Sequence, residues 1–190
     1  MNDSVFFASV RQHLFGGSLA QSQVEGLNII LKGWDTYGDG DIRKEAYILA
    51  TTKRETGSTE QPIEEWGKGM GHSYGLPTGP WHNVYDGRGF VQETFEANYV
   101  AATRKLHTRG LFLDVNLDKS PELAMRPDIA VAILVIGMME GWFTGHKLSD
   151  YISAARCDFY RARQIVNSMD HASDIATYAN AFLAALRAAQ

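Results

Sequence analysis

The hydrophobic positions of this chain recur mostly at helical intervals. Val5, Phe6, Val10, Leu14 and Phe15 share one face, and Val24, Leu27, Ile30, Leu31 and Trp34 share another in the next segment. Ser18 and Gln21 have the spacing of a capping box and predict where that second helix starts. Asp41 predicts the cap of a third helix, which carries Ile42, Ala46, Ile48, Leu49 and Ala50 and ends near Glu55. The helical pattern resumes over 95–106. Residues 129–139 are apolar apart from Gly137, and Pro127 suits the first turn of a central helix ending near Trp142. That run is about half of the roughly 20 residues a membrane span needs, so it reads as core. A short helix is predicted over 148–154 and another from Asp158 to Val166. A last one, capped by Ser173, sets Ile175, Tyr178, Phe182, Leu183 and Leu186 on one face.

Between Glu55 and Phe95 the periodicity fails. Gly67, Gly69, Gly71, Gly75, Gly79, Gly87 and Gly89 alternate with polar residues, and Pro77 and Pro80 lie among them. Val84-Tyr85 and Phe90-Val91 are the strand material there. The expected class is mainly α, of the α+β type: a helical bundle around a central apolar helix, with a small β-hairpin beside the polar loop. One domain over 1–190 is expected from the length. A long loop inside a compact domain is usually functional.

Composition then narrows the partners. The 190 residues are 45% hydrophobic and 21% charged, with a formal charge of −4. No basic block stands out, which argues against nucleic acid and against a charged membrane surface as partners. The single cysteine, Cys157, permits no intramolecular disulfide and fits a reducing compartment. The segment from Met1 to Phe7 lacks the basic start and sustained apolar run of a signal peptide, so cytoplasmic synthesis is expected. His13, His72, His82, His107, His146 and His171 show no zinc-ligand spacing. The stretch from Asp35 to Asp41 hints at a calcium loop, but Tyr37 and Ala46 stand where oxygen ligands belong. A turn before a helix is the better reading, and no metal or cofactor is expected.

The chemistry gathers around the irregular segment. Glu55 follows Tyr47, Ile48 and Thr51 at helical spacing, so it stands at the edge of a core helix where a general acid could sit. Glu64 and Glu65 come nine and ten residues later, past a turn marked by Gly57 and Pro62. Either could face Glu55 across a cleft. Inverting glycoside hydrolysis wants two carboxyls roughly 6.5–9.5 Å apart, with a water between them. Arg88, flanked by Gly87 and Gly89, brings a guanidinium to closely approaching backbone. Gln92, Thr94 and Asn98 offer amides and a hydroxyl to sugars, and Trp66, Tyr74, Trp81 and Tyr85 offer flat faces. Taken singly, each has a plainer reading: a solvated helix-end glutamate, a surface acidic pair, core aromatics.

Read in order, these segments resemble the phage and prophage endolysins of the glycoside hydrolase family 19 type, chitinase relatives in the lysozyme-like superfamily. Arg54-Glu55-Thr56 stands at the family's His-Glu-Thr. Residues 61–69 resemble Gln-Pro-Ile-Glu-Glu-Tyr-Gly-Lys-Gly, and residues 87–99 resemble its Gly-Arg-Gly-Phe-Val-Gln-Leu-Thr…Asn-Tyr signature. Further matches are 120–124, 140–145, 147–151 and 162–167. The resemblance implies a lysozyme-like fold and metal-free hydrolysis of β-1,4 bonds in peptidoglycan or a chitin-like polymer. It places Glu55 as general acid and Glu65 as second carboxylate, with Glu64 its rival. Gln92, Thr94, Asn98 and Asn167 would line the sugar cleft, and Arg163 would hold the second carboxylate.

An N-acetylmuramidase-type endolysin is the leading expectation: a monomer released to the wall through a separate holin, causing host lysis. A chitinase, a catalytically weak wall-binding relative and a secreted interbacterial toxin are the alternatives. Four departures from the family pattern bear on them. Arg54 replaces histidine, Glu93 replaces leucine, Trp66 replaces tyrosine, and Ser168-Met169 replaces Gly-Thr. Glu93 is expected either at the surface or as a third carboxylate in the cleft.

Overall fold

A computed structural model describes residues 1–190. Seven helices make up nearly half of the chain: α1 (Asp3–Leu14), α2 (Gln21–Tyr37), α3 (Ile42–Glu55), α4 (Glu96–Thr108), α5 (Pro127–Glu140), α6 (Leu148–Tyr151) and α7 (Ala172–Ala188). Two antiparallel pairs complete it. Strand β1 (Ile63–Glu64) pairs with β2 (Arg88–Gly89), and β3 (Ile152–Ser153) pairs with β4 (Arg156–Cys157). Helix α5 is the axis of the core. Every residue from Ile129 to Met138 is buried, because this helix is apolar on all faces and is surrounded rather than laid on a surface. It packs on α2, where Gly33 lets Val131 approach: a Cβ there would stand 2.2 Å from Val131 Cγ2. Helix α3 packs along α7, and α7 along α1, so the first and last helices close the bundle.

Several helix boundaries differ from expectation for local reasons. Helix α2 starts at Gln21, and the backbone N–H of Ala20 donates to Gln23 Oε1; Ser18 takes no part. Asp41 caps α3 as expected, its Oδ1 accepting from Arg43 N at 3.0 Å. Asp39 meets Lys44, so the calcium-loop-like stretch spends two carboxylates on the start of α3. Helix α5 stops at Glu140, short of Trp142, because Gly141 turns left-handed at φ 76°. The segment predicted as a helix over 148–154 makes one turn and then enters β3. Asp158 caps a 3₁₀ turn at Arg161–Ile165 in place of a full helix. Helix α7 begins at Ala172, after a left-handed His171, so Ser173 lies inside its first turn. Val84-Tyr85 and Phe90-Val91 are not strands: the pairing falls instead on Ile63–Glu64 and Arg88–Gly89.

Candidate active site

Helix α3 delivers Glu55 at its last turn. Its inner face, with Tyr47, Ile48 and Thr51, is buried against the core, which leaves the final carboxylate half-buried at the edge. Arg163, from the 3₁₀ turn Arg161–Ile165, reaches it: Nη1 donates to Glu55 Oε1 at 2.5 Å. The same guanidinium donates from Nε to the Asp170 carbonyl at 3.0 Å and from Nη2 to the Asp170 carboxylate at 3.3 Å. Arg163 is 2% exposed, so its five donors are aimed by burial as well as by bonding. It was expected on the second carboxylate and instead clamps Glu55. Glu65 is occupied by other donors, which leaves no place for it there. Arg54, one residue before Glu55, points to solvent, as the divergence of consecutive helical side chains requires.

The polar wall opposite is a tight turn after β2. Arg88 and Glu93 exchange both backbone hydrogen bonds, at 3.1 and 2.9 Å. Inside and just beyond this closed loop, Gln92 (φ 54°) and Phe95 (φ 71°) take the left-handed conformation that costs a side-chain-bearing residue. Gln92 Nε2 donates to the Ile63 carbonyl at 3.0 Å, Thr94 Oγ1 to the Gln92 carbonyl at 2.7 Å, and Asn98 Nδ2 to the Thr94 carbonyl at 2.7 Å. These bonds fix three side chains and leave their remaining oxygens for a ligand. Glu55, Gln92, Glu93, Thr94, Asn98 and Asn167 line one cleft of about 380 Å³, with Val91, Phe95, Phe143 and Val166 as its apolar surface. The expected Gln92, Thr94, Asn98 and Asn167 are thus brought together with Glu55.

Glu64, the last residue of β1, and Glu65, just past it, have different partners. Glu64 pairs with Lys68 at 2.9 Å and Arg88 at 3.1 Å, and the two cations, Lys68 foremost, hold its carboxyl below the usual range. Glu65 meets no cation. Its Oε1 accepts from the Tyr74 hydroxyl at 3.0 Å and its Oε2 from Gly87 N at 3.1 Å. Tyr74 stacks on His72 and meets the edge of Phe95 at 5.1 Å, which links Glu65 to the cleft lining. Tyr74 therefore positions a carboxylate, with one face stacked on His72.

Two further expectations fail. Arg88 is 7% exposed and faces inward, bonded to Glu64, Asp86, the Val84 carbonyl and the Tyr99 hydroxyl, so it braces the loop from within. Tyr85 is fully buried and donates its hydroxyl to Asp118. Neither can bind substrate, since a guanidinium or ring consumed by internal contacts offers nothing outward. Of the other aromatics, Trp66 is fully exposed and Trp81 donates to Asp118.

Asp170, Phe143 and Val166 belong to the site and escaped the sequence reading. Phe143 lies within a matched segment; nothing local marks Asp170. Glu93 takes the second of its two expected places. It is 8% exposed in the cleft wall, and burial pushes its carboxyl up to about 7 against a weak opposing pull from Lys105.

No family model and no curated protein matches this chain. Solved structures do. Chitinase C from Streptomyces griseus HUT6037 is 21% identical, with 96% of this chain and 75% of that one covered, at a TM-score of 0.60. A point mutant of chitinase C is 22% identical over the same shares, at 0.59. A bacterial family 19 chitinase is 19% identical, with 94% and 93% covered, at 0.52. The chain is thus similar in fold, across nearly its whole length, to bacterial family 19 chitinases.

Proposed function

We propose that this protein is a glycoside hydrolase that cleaves β-1,4 bonds of bacterial cell-wall glycan by acid–base catalysis. The observation that carries the reading is the placing of Glu55. A half-buried carboxylate, fixed by a buried arginine, opens onto a cleft whose other side bears two amides and a hydroxyl on a strained loop. Glu55 acts as general acid on the leaving oxygen. Glu65 acts as the base that activates water, because it is the member of the Glu64–Glu65 pair without a cation and with two fixed donors. Glu64 is a structural partner of Arg88. Gln92, Thr94, Asn98 and Asn167 hold the sugars, and the scheme is the inverting one.

Peptidoglycan ranks first as substrate, on the resemblance of the matched segments to endolysins, with release by a holin and action as a monomer following from it. A chitinase acting on N-acetylglucosamine polymers is the second reading, favoured by the likeness to chitinase structures. Digestion of purified peptidoglycan and of chitin by the wild type and by Glu55→Gln tests both, with products identified by mass and reducing sugar. Fragments ending in reducing N-acetylmuramic acid, lost in the variant, establish a muramidase. Release from chitin alone establishes the second reading. A folded wild type that binds sacculi and releases nothing overturns hydrolysis and leaves a wall-binding protein.

A further inference from the structure

Glu93 is a carboxylate that the proposed mechanism does not use, and its surroundings are unusual. Its backbone is locked by the two bonds to Arg88, and its side chain lines the same cleft as Glu55, Asn98 and Asn167. It also borders a small void of about 10 Å³ with Asn98, Ala102, Lys105 and Trp142, too small to admit more than one water. No protein group donates a hydrogen bond to its carboxylate, which opens onto the cleft. The one cation that acts on it, Lys105, makes no ion pair with it and stands over the Trp142 ring at 5.0 Å. A carboxylate this sheltered, met only by the cleft, is costly to ionise, and a cation brought by a ligand into the cleft would offset that cost.

We infer that Glu93 makes this cleft selective for a glycan bearing a free primary ammonium, such as a de-N-acetylated glucosamine unit, at the sugar beside Gln92 and Asn98. The inference rests on the glycan-binding reading of the cleft and goes beyond it by naming which glycan. An acetamido group in that position offers Glu93 one neutral N–H. An ammonium offers three donors and a charge, and a charge-assisted bond in a sheltered site discriminates by roughly 10–100-fold. A leucine in this position could make no such distinction.

The test is calorimetric binding at pH 7.5 of the full chain carrying Glu55→Gln, which removes turnover. The probes are tetramers of glucosamine and of N-acetylglucosamine, with a short lysine-containing stem peptide as the other source of an amine. Glu93→Gln and Glu93→Leu are added to the same background, and thermal melting checks that each folds. The expected result is tighter binding of the glucosamine tetramer by about tenfold or more, abolished by either substitution while binding of the acetylated tetramer is retained. Equal affinity for both tetramers, a preference unchanged in both variants, or binding of the peptide alone overturns it. A wild type that hydrolyses neither polymer yet shows the Glu93-dependent preference refutes the hydrolase reading and leaves this inference standing.

Discussion

Replacing Glu60 with glutamine should change the stability of this protein little in acid and raise it increasingly as pH climbs from about 4.5 to about 8. Glu60 follows α3 in a left-handed residue (φ 56°), its N–H donating to Thr56 Oγ1 at 3.1 Å. That geometry sends the side chain inward: Glu60 is fully buried, and neither carboxylate oxygen has a hydrogen-bond partner. Burial pushes its carboxyl up to about 8 from an ordinary 4.5, with the Lys53 amine pulling weakly the other way. That difference corresponds to ~5 kcal/mol against the ionised form in the folded state. The folded pKa is raised, so between the two values the native state holds a proton that the unfolded chain has released. The protein is therefore most stable below about pH 4.5, as far as this group is concerned. It loses stability as pH rises toward about 8.

The variant keeps the shape and removes the titration. Part of the gain is forfeited, because Lys53 stays buried with the Ser58 hydroxyl at 3.0 Å and the rings of Phe15 at 3.8 Å and Tyr178 at 5.4 Å but no carboxylate. A net gain of ~2–4 kcal/mol at pH 9, with little change at pH 5, is expected from the penalty less that loss. Glu45 and Glu93, each pushed up to about 7 by burial, contribute the same sign in both proteins and cancel in the difference. Urea unfolding of wild type and Glu60→Gln at half-unit steps from pH 5 to 9 measures it. Parallel stability curves across that range would show that Glu60 ionises in contact with water, and the burial argument would fail.

Arg163→Met strands Glu55 and Asp170, and should cost ~3 kcal/mol in chemical denaturation together with most of the hydrolytic activity. Gly26→Ala drives a Cβ to 1.6 Å from the Glu60 carbonyl oxygen, so α2 and the 56–60 turn must separate; a loss of ~3 kcal/mol is expected in the same assay. Tyr74→Phe removes one of the two donors on Glu65. Turnover should fall by roughly tenfold with KM and melting temperature nearly unchanged, as the loss of one charge-assisted bond implies.

The helices were legible because each buries one face or all of them, and burial writes a period into the sequence. The cap at Asp41 and the end of α3 at Glu55 were legible for the same local reason. The strands were not: two-residue strands carry no period, and β1 meets β2 across the long segment from Glu65 to Gly87. Arg163 and Glu55 pair across 108 positions, so the choice between the two carboxylates could only come from the fold. Arg88 and Tyr85 show a different limit. Residue type marks them as able to bind a sugar, while orientation, set by Asp86, Tyr99 and Asp118, turns them inward. Charge gives too little at Glu60 and Glu93: residue type does not mark Glu60 as buried and leaves Glu93 between the surface and the cleft, and only the fold places both inside. Glu93 is a largely buried carboxylate in the cleft wall with no protein donor, and the loop that carries it adds strain at Gln92 and Phe95. Folding alone gives no reason to keep both costs in one cleft wall. A ligand that supplies the missing donors does, and so the segment where the local rules fail is the one assigned to binding.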